Sequence, residues 1–402
     1  MKKGWQTKTL GDVCSFENGD RGTNYPSRSA RTNCGIPFIN AGHLTDEGID
    51  IDGLSFIPRE RFDLLSNGKI RRGDILFCLR GSLGKFANVG SLSEGAIASS
   101  LVIVRPSESV SNGYINAYFQ SELCALMINR FKNGAAQPNL SAQSLRKFTI
   151  PIPPLPEQQR IVRILDEAFD GIAIAKANAE KNLQNASKLF ESYLNSVFTQ
   201  HGSEWADKKL GEVCGFVRGP FGGSLKKSIF VPDGYAVYEQ RHAIYNQFDD
   251  VRYFIDEAKF KEMKRFELSP NDLIMSCSGT MGRVAIVPKS IKRGIINQAL
   301  LKLTPTTKIK NTFLKFWMES ESFQNALKEY SGGAAIQNVA EVKVLKEIKI
   351  LLPSIAEQEH VVESLDELLT ETLRLESIYQ QKLEKLEALK KSLLNEAFNG
   401  VL

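Results

Sequence analysis

The chain is 402 residues long, 42% hydrophobic and 24% charged, with a net charge of +5 and a pI near 8.7. That length exceeds what one core serves and predicts two to three domains, while mild basicity permits nucleic-acid binding without demanding it. No apolar run approaches the roughly 18 residues that span a bilayer, and Met1-Lys-Lys-Gly-Trp5 is followed by polar residues, so neither a membrane segment nor a signal peptide is expected and the cytoplasm is the expected location.

The first 150 or so residues carry short β-type runs, Ile36–Ile39, Asp74–Phe77 and Leu101–Val104, separated by Gly, Asn and Ser turns. A helical pattern covers Tyr114 to Phe131. Six scattered cysteines (Cys14, Cys34, Cys78, Cys124, Cys214, Cys277) form no CxxC pair and have no histidine at ligand spacing, so reduced thiols and no zinc site are expected. From Ile150 to Asp166 the chain reads IPIPPLPEQQRIVRILD. The prolines cannot continue a helix but are tolerated in its first turn. Beyond them, residues 157–200 contain no proline and one interior glycine, Gly171, with apolar Ile161, Ile164, Leu165, Ala168, Phe169 and Ile172 at steps of three and four. The spacing predicts a long amphipathic helix with a coiled-coil seam.

Residue 205 begins the same text again. Trp5 and Leu10-Gly-Asp-Val-Cys14 return as Trp205 and Leu210-Gly-Glu-Val-Cys214. Gly73-Asp-Ile-Leu76 returns as Asn271-Asp-Leu-Ile274, and Gly81-Ser-Leu-Gly-Lys85 as Gly279-Thr-Met-Gly-Arg283. Gln137 and Asn139 have counterparts in Gln337 and Asn338, in a segment that reads as a shared turn. The second proline-rich segment, ILLPSIAEQEHVVESLD from Ile350 to Asp366, leads into a second proline-free stretch. Ser354 and Glu357 fit a capping box there. Leu375, Ile378, Tyr379, Leu383, Leu386, Leu389 and Leu393 form its stripe, and Asn399-Gly400 supplies a stop. Ser192-Tyr-Leu-Asn195-Ser-Val-Phe198 returns as Ser392-Leu-Leu-Asn395-Glu-Ala-Phe398. One unit of about 200 residues therefore occurs twice. The predicted partition is a globular domain over 1–155, a helical region over 156–204, a second globular domain over 205–353 and a second helical region over 354–402. The expected fold class is α+β: two similar mixed α/β domains joined by two long helices that pair about a pseudo-twofold axis.

Catalytic motifs are missing from this text. Gly81–Phe86 fails as a phosphate loop because Leu79 stands where its first glycine belongs and Phe86 where Ser or Thr follows the lysine. Asp233, Glu239 and Arg241 resemble a nuclease constellation without its lysine, and Pro232-Asp-Gly234 is an ordinary turn. No nucleophile elbow, adenine-methyltransferase tetrad or glycine-rich cofactor loop occurs, and the four histidines (His43, His201, His242, His360) are dispersed.

The segments GDILF…RGSLGK and NDLIM…SGTMGR, GAAQPNLS and GAAIQNVA, and PPLPEQQRIV and PSIAEQEHVV, twice in one order, resemble the DNA-specificity subunits of type I restriction–modification systems. The resemblance covers essentially the whole chain. It implies a target-recognition domain and a helix, each repeated, with each domain reading one half of a split double-stranded DNA target. It implies that the helices form an antiparallel coiled coil, set the gap and dock two methyltransferase subunits, which join restriction and translocase subunits. No cofactor is implied for this chain; S-adenosylmethionine, ATP and magnesium belong to the partners, and no membrane is involved. A coiled-coil assembly protein without sequence readout and a catalytic DNA-modifying chain are the alternatives.

The two copies diverge most where readers should differ. Arginine reads guanine bidentately and Asn or Gln reads adenine in the major groove, which nominates Asn40, Gln240 and Arg241. Arg21, Arg28, Arg31, Lys226 and Lys227 suit phosphate positioning. His43 and His242 fall at matched positions and serve either as DNA ligands or as satisfied structural histidines. Lys85 and Arg283 sit in the matched glycine turns. Asn297 and Gln298 answer Ala98 and Ser99 of the first copy, a polar difference that adds them as candidates.

Overall fold

The structure is a computed structural model and describes residues 4–45, 48–134, 138–200, 204–329 and 341–402. Gln137, Gln337 and Asn338 lie outside the described residues. The chain separates into two compact units, Met1–Glu180 with Gln381–Leu402, and Lys181–Gln380.

In the first unit, a four-stranded antiparallel sheet runs in the order Cys14–Asn18, Leu101–Pro106, Ile75–Cys78, Phe86–Asn88. Both middle strands are buried along almost their whole length, which is why they read as continuous apolar runs rather than alternating ones. A three-stranded sheet pairs Ile36–Ile39 antiparallel with Ser55–Ile57 and parallel with Ala96–Ile97. Gln6–Thr9 pairs with Thr149–Ile152 and closes the domain just before the prolines. The Tyr114–Phe131 pattern is two helices, Asn112–Gln120 and Glu122–Phe131. Ser121 breaks them: its backbone is extended, and its hydroxyl accepts from Cys124 N at 3.3 Å to cap the second helix.

The second unit repeats this topology strand for strand: Cys214–Arg218, Leu300–Pro305, Leu273–Ser276 and Val284–Ile286 in one sheet, then Phe254–Ile255, Tyr235–Tyr238 and Gly294–Ile296 in the other. Ala206–Lys209 pairs with Lys349–Leu352. One local difference matters for function. After Ile36–Ile39 the first unit makes a single 3-10 turn, Ala41–His43, and a small hairpin, whereas after Tyr235–Tyr238 the second makes a helix, Gln240–Tyr245.

The long helices run Leu155–Thr199 and Ile355–Asn399, each starting two residues or fewer before the expected point. Buried positions step by seven, at Gln158, Leu165, Ile172, Ala179 and Ala186 in one helix and Gln358, Leu365 and Thr372 in the other. That is the period of a left-handed coiled-coil seam. Within the first unit Lys176 pairs with Glu387 at 2.9 Å, and within the second Ser187 donates to Glu376. Within the first unit Arg160 also reaches Leu402 O at 2.7 Å, so sixteen residues forward along the first helix match fifteen back along the end of the chain and the segments pair antiparallel. The expected stripe on the second helix needs revision: Ile378 and Leu389 are exposed, because a run of apolar residues at every third and fourth place is wider than the seam a two-helix contact can cover.

One helix cap also differs from expectation. Glu357 N donates to Ser354 Oγ at 3.3 Å, but the Glu357 carboxylate takes the Trp205 indole N–H at 2.8 Å instead of returning to complete a capping box. Gly400, at φ +72°, ends the second helix in the left-handed region that glycine enters freely. All six cysteines are free, and only Cys34 is exposed.

Candidate nucleic-acid interface

In each unit, three loops converge at one end of the paired sheets, held there by backbone hydrogen bonds. Ala98 N donates to Ile39 O at 2.7 Å, joining the 98–100 turn to the end of the Ile36–Ile39 strand. Leu79 N donates to Ser100 O at 2.8 Å, which brings the Gly81–Lys85 turn beside it. A Cβ on Gly19 would lie 2.7 Å from Ala98 O, so the loop after Cys14–Asn18 passes directly over that turn. The second unit repeats the stitching with Asn297 N to Tyr238 O at 2.8 Å and Cys277 N to Ala299 O at 2.9 Å. Gly219 approaches closer still: a Cβ there would sit 1.9 Å from Asn297 O, so only glycine fits. Most nominated residues fall on these loops, although they are far apart in sequence.

Within the first unit Arg21 reaches Ser99 O at 3.3 Å. Arg31 lies over the Phe38 ring at 5.1 Å, and its Nε is buried with no partner among the described residues. Arg28 lies in the 3-10 turn Arg28–Ala30. Lys85 is half-buried in the turn between Ile75–Cys78 and Phe86–Asn88. Asn40 is turned to its own backbone, its Oδ1 accepting from Gly42 N at 2.8 Å.

His43 and His242 hold matched places in the frame. Each Nδ1 accepts a backbone N–H three residues earlier, from Asn40 at 3.2 Å and Glu239 at 2.8 Å. Both are buried, His242 at 1% exposure, with its other ring nitrogen 3.2 Å from Asp250 O and its ring edge-on to Tyr238. Burial lowers the His43 pKa, aided by Arg31 and opposed by Asp50. Of the two readings open for these histidines, the geometry agrees with the structural one: they fix the turn that presents their neighbours.

In the second unit Arg241 is ion-paired with Asp250, while Arg283, Lys226, Lys227 and Gln298 are exposed. Asn297 Oδ1 accepts from Ala299 N at 3.0 Å. Gln240 Oε1 is buried without a partner among the described residues, and so is Nη1 of Arg218, at the end of the Cys214–Arg218 strand. The Arg218 guanidinium faces the buried Cys277 thiol, so Gln240 Oε1 is the polar atom on this rim whose pairing the fold leaves open. Sequence reasoning did not nominate Arg218, which opens the divergent segment ahead of Lys226 and Lys227. It also missed Phe221, an aromatic flanked by Gly219-Pro220 and Gly222-Gly223. Its signal was a large apolar residue in a turn, with no periodic partner.

A family model described as the type I restriction modification DNA specificity domain matches residues 2–185 and again 202–388. The putative MjaX type I restriction enzyme specificity subunit of Methanocaldococcus jannaschii is 24% identical over 98% of this chain and 93% of its own length. The EcoKI specificity subunit of Escherichia coli is 23% identical over 91% and 82%. Among solved structures, a chain from work on complex assembly and conformational transition of the type I R-M system superposes with a TM-score of 0.82 at 19% identity, covering 100% of this chain and 99% of that one. The HsdS subunit from Thermoanaerobacter tengcongensis follows at 0.67 and 18%, covering 100% and 98%. At these identities the structural likeness speaks for the fold.

Proposed function

Because the chain belongs to the type I restriction modification DNA specificity family, with the model matched twice across it, we propose that it reads an asymmetric double-stranded DNA target in two halves. Each globular domain reads one half-site through its three convergent loops, and the long helices set the gap between the halves. The chain is the specificity subunit of its complex and supplies no chemistry. It docks two methyltransferase subunits, which use S-adenosylmethionine for N6-adenine methylation, and restriction and translocase subunits that use ATP and magnesium.

One observation carries this reading. The two units share their sheets strand for strand, yet differ at the loop ends: a 3-10 turn bearing Asn40 in one, a helix bearing Gln240 and Arg241 in the other. A shared frame with unlike polar tips is what two readers of unlike sequences require. Arg21, Arg31, Lys226 and Lys227 are assigned to phosphate, joined by Arg28, Lys85 and Arg283 on the same loops. Gln240, Asn297 and Gln298 are assigned to bases, with Asn40 and Arg241 joining them once they exchange their present partners for DNA.

The test is to co-express the chain with its neighbouring methyltransferase subunit in an unmethylated host and map N6-methyladenine by long-read sequencing. Two short half-sites with a fixed unspecified gap are expected, and exchange of residues 205–353 for those of another family member should change one half only. Assembly with the methyltransferase but no motif would overturn sequence readout and favour a protein-assembly role. DNA modification by the purified chain alone would overturn the non-catalytic assignment.

A further inference from the structure

Of the 23 phenylalanines in the chain, Phe221 alone is exposed, and it is 84% exposed. Burying such a side chain is favourable, and the fold leaves that unused here. The exposure does not come from a slack loop. Phe221 O accepts from both Ser224 N, at 3.3 Å, and Ser224 Oγ, at 3.0 Å, and the 3-10 helix Gly222–Leu225 follows at once. Gly219, pressed against Asn297 O, fixes the other end of the loop. A held turn therefore presents the ring outward from the rim that carries Gln240, Asn297 and Gln298.

The first unit treats its corresponding loop differently. There Asp20 accepts from Gly22 N at 2.6 Å and Ser66 N at 2.8 Å, tying the loop down. The loop's aromatic residue, Tyr25, turns inward and meets Phe38 edge-on at 5.9 Å. One copy covers its loop aromatic and the other displays it.

The surroundings of Phe221 identify what it meets. Lys226 and Lys227 are exposed and make no ion pair among the described residues. Lys226 folds back along the loop, with its Cε 3.1 Å from where a Cβ on Gly223 would lie. The unpaired Gln240 Oε1 belongs to the same rim, as does Arg218, whose guanidinium faces the Cys277 thiol and keeps Nη1 open. A lone ring between lysines and unpaired hydrogen-bonding groups suits a duplex: phosphates meet the lysines, base edges meet the polar groups, and stacked bases meet the ring. We propose that Phe221 enters the half-site read by residues 205–353 as an apolar wedge, partly unstacking one base step and bending the duplex there. The first domain reads its half without such an insertion. Wedges of this kind exchange unstacking energy for contact with bent DNA, and they make the step they enter selective for easily unstacked sequence.

The inference rests on the DNA-reading function proposed above, and its test separates the two. With the motif found by methylome mapping, duplexes carrying 2-aminopurine at successive positions of each half-site are bound to the complex of this chain and its methyltransferase partner. Wild type should brighten one position in one half-site, outside the methylated adenine. Phe221→Ala should abolish that signal and weaken binding about tenfold while leaving the salt slope unchanged, because the ring holds no phosphate. Phe221→Trp should retain the signal. Lys226→Ala with Lys227→Ala should flatten the salt slope and keep the signal. An unchanged thermal midpoint for Phe221→Ala, expected because the side chain is 84% exposed, excludes misfolding. If the motif exists but Phe221→Ala brightens and binds as wild type does, the wedge alone falls. If Phe221→Ala instead loses the methyltransferase partner, the ring is a protein contact and the wedge again falls. If wild type yields no split motif, both readings fall together.

Discussion

Gln158 and Gln358, the second members of the repeated Glu-Gln pairs, are fully buried at the start of the long helices. Gln158 Oε1 accepts from Ser111 N at 2.9 Å, while its Nε2 donates to Ser109 O at 3.1 Å and Pro153 O at 2.9 Å. Gln358 does the same with Lys310 N, Lys308 O and Pro353 O. The amide thus bolts each helix to the domain before it. Gln158→Leu leaves three backbone groups without their amide partner, Pro153 O buried and the other two near the surface, and is expected to cost about 2 kcal/mol, read as lost hydrogen-exchange protection over residues 107–120. Protection equal to wild type would show that the bolt is idle. The sequence marked these glutamines as a helix start, and nothing in it marked them as a joint, since two of the three partners lie about fifty residues earlier. A second residue-scale prediction concerns acid. Burial pushes the Glu17 carboxyl up, but Arg105 and the amides of Gly68 and Lys69 outweigh it and hold the pKa below the ordinary value. Backbone amides of Gly22 and Ser66 lower Asp20 likewise. Both contributions are present above the unfolded carboxylate range, near pH 4, and are lost as pH falls through the depressed folded values. Val217 and Pro220 stand at the corresponding places in the second copy. Acidification from about pH 5 to 3 should therefore loosen residues 14–20 before 214–220 in a hydrogen-exchange series; simultaneous loosening would refute the assignment.

At the scale of elements, the seven-residue step of buried positions accounts for most of what the helices do. Gly171 lies one place before Ile172 of that seam, on the exposed side, and a Cβ there would meet nothing within 4 Å. Glycine in a helix interior is destabilising because its unfolded state is freer. Gly171→Ala is expected to stabilise the chain by about 0.5–1 kcal/mol, seen as a raised denaturation midpoint with target specificity unchanged. A fall in the midpoint would point to a backbone bend that only glycine allows. The paired helices Asn112–Gln120 and Glu122–Phe131 teach the complementary lesson. Their apolar pattern runs on without a break, and only the extended backbone of Ser121 divides it, a difference too local for periodicity to register.

At the scale of the whole molecule, the compact units cut across the predicted partition. Each draws on both long helices, and the first is completed by the last turns of the chain. Leu394, Ala397 and Phe398 belong to the core of the first unit, where Phe398 packs at 5.1 Å from Tyr114 and 5.8 Å from Tyr118. Phe198 fills the matching place in the second unit, 5.4 Å from Phe313. Phe398→Ala should cost about 3–5 kcal/mol and lower exchange protection around residues 112–120 without touching residues 311–319. Loss in both segments, or in neither, would contradict the placement. The recurrence of Phe198 as Phe398 was plain in the sequence, but the core each one fills was not.

Local periodicity, turn chemistry and a repeat that returns at 200-residue spacing determined the class of the fold, the long helices and the doubling of the unit, because these depend on neighbours along the chain. The rest was decided by segments meeting across long separations. His43 and His242 became frame, Gln158 and Gln358 became joints, and Arg218, Gln240 and Phe221 came to share one rim. A side chain's role follows from what surrounds it in space, and only the packed chain brings residue 219 against residue 297.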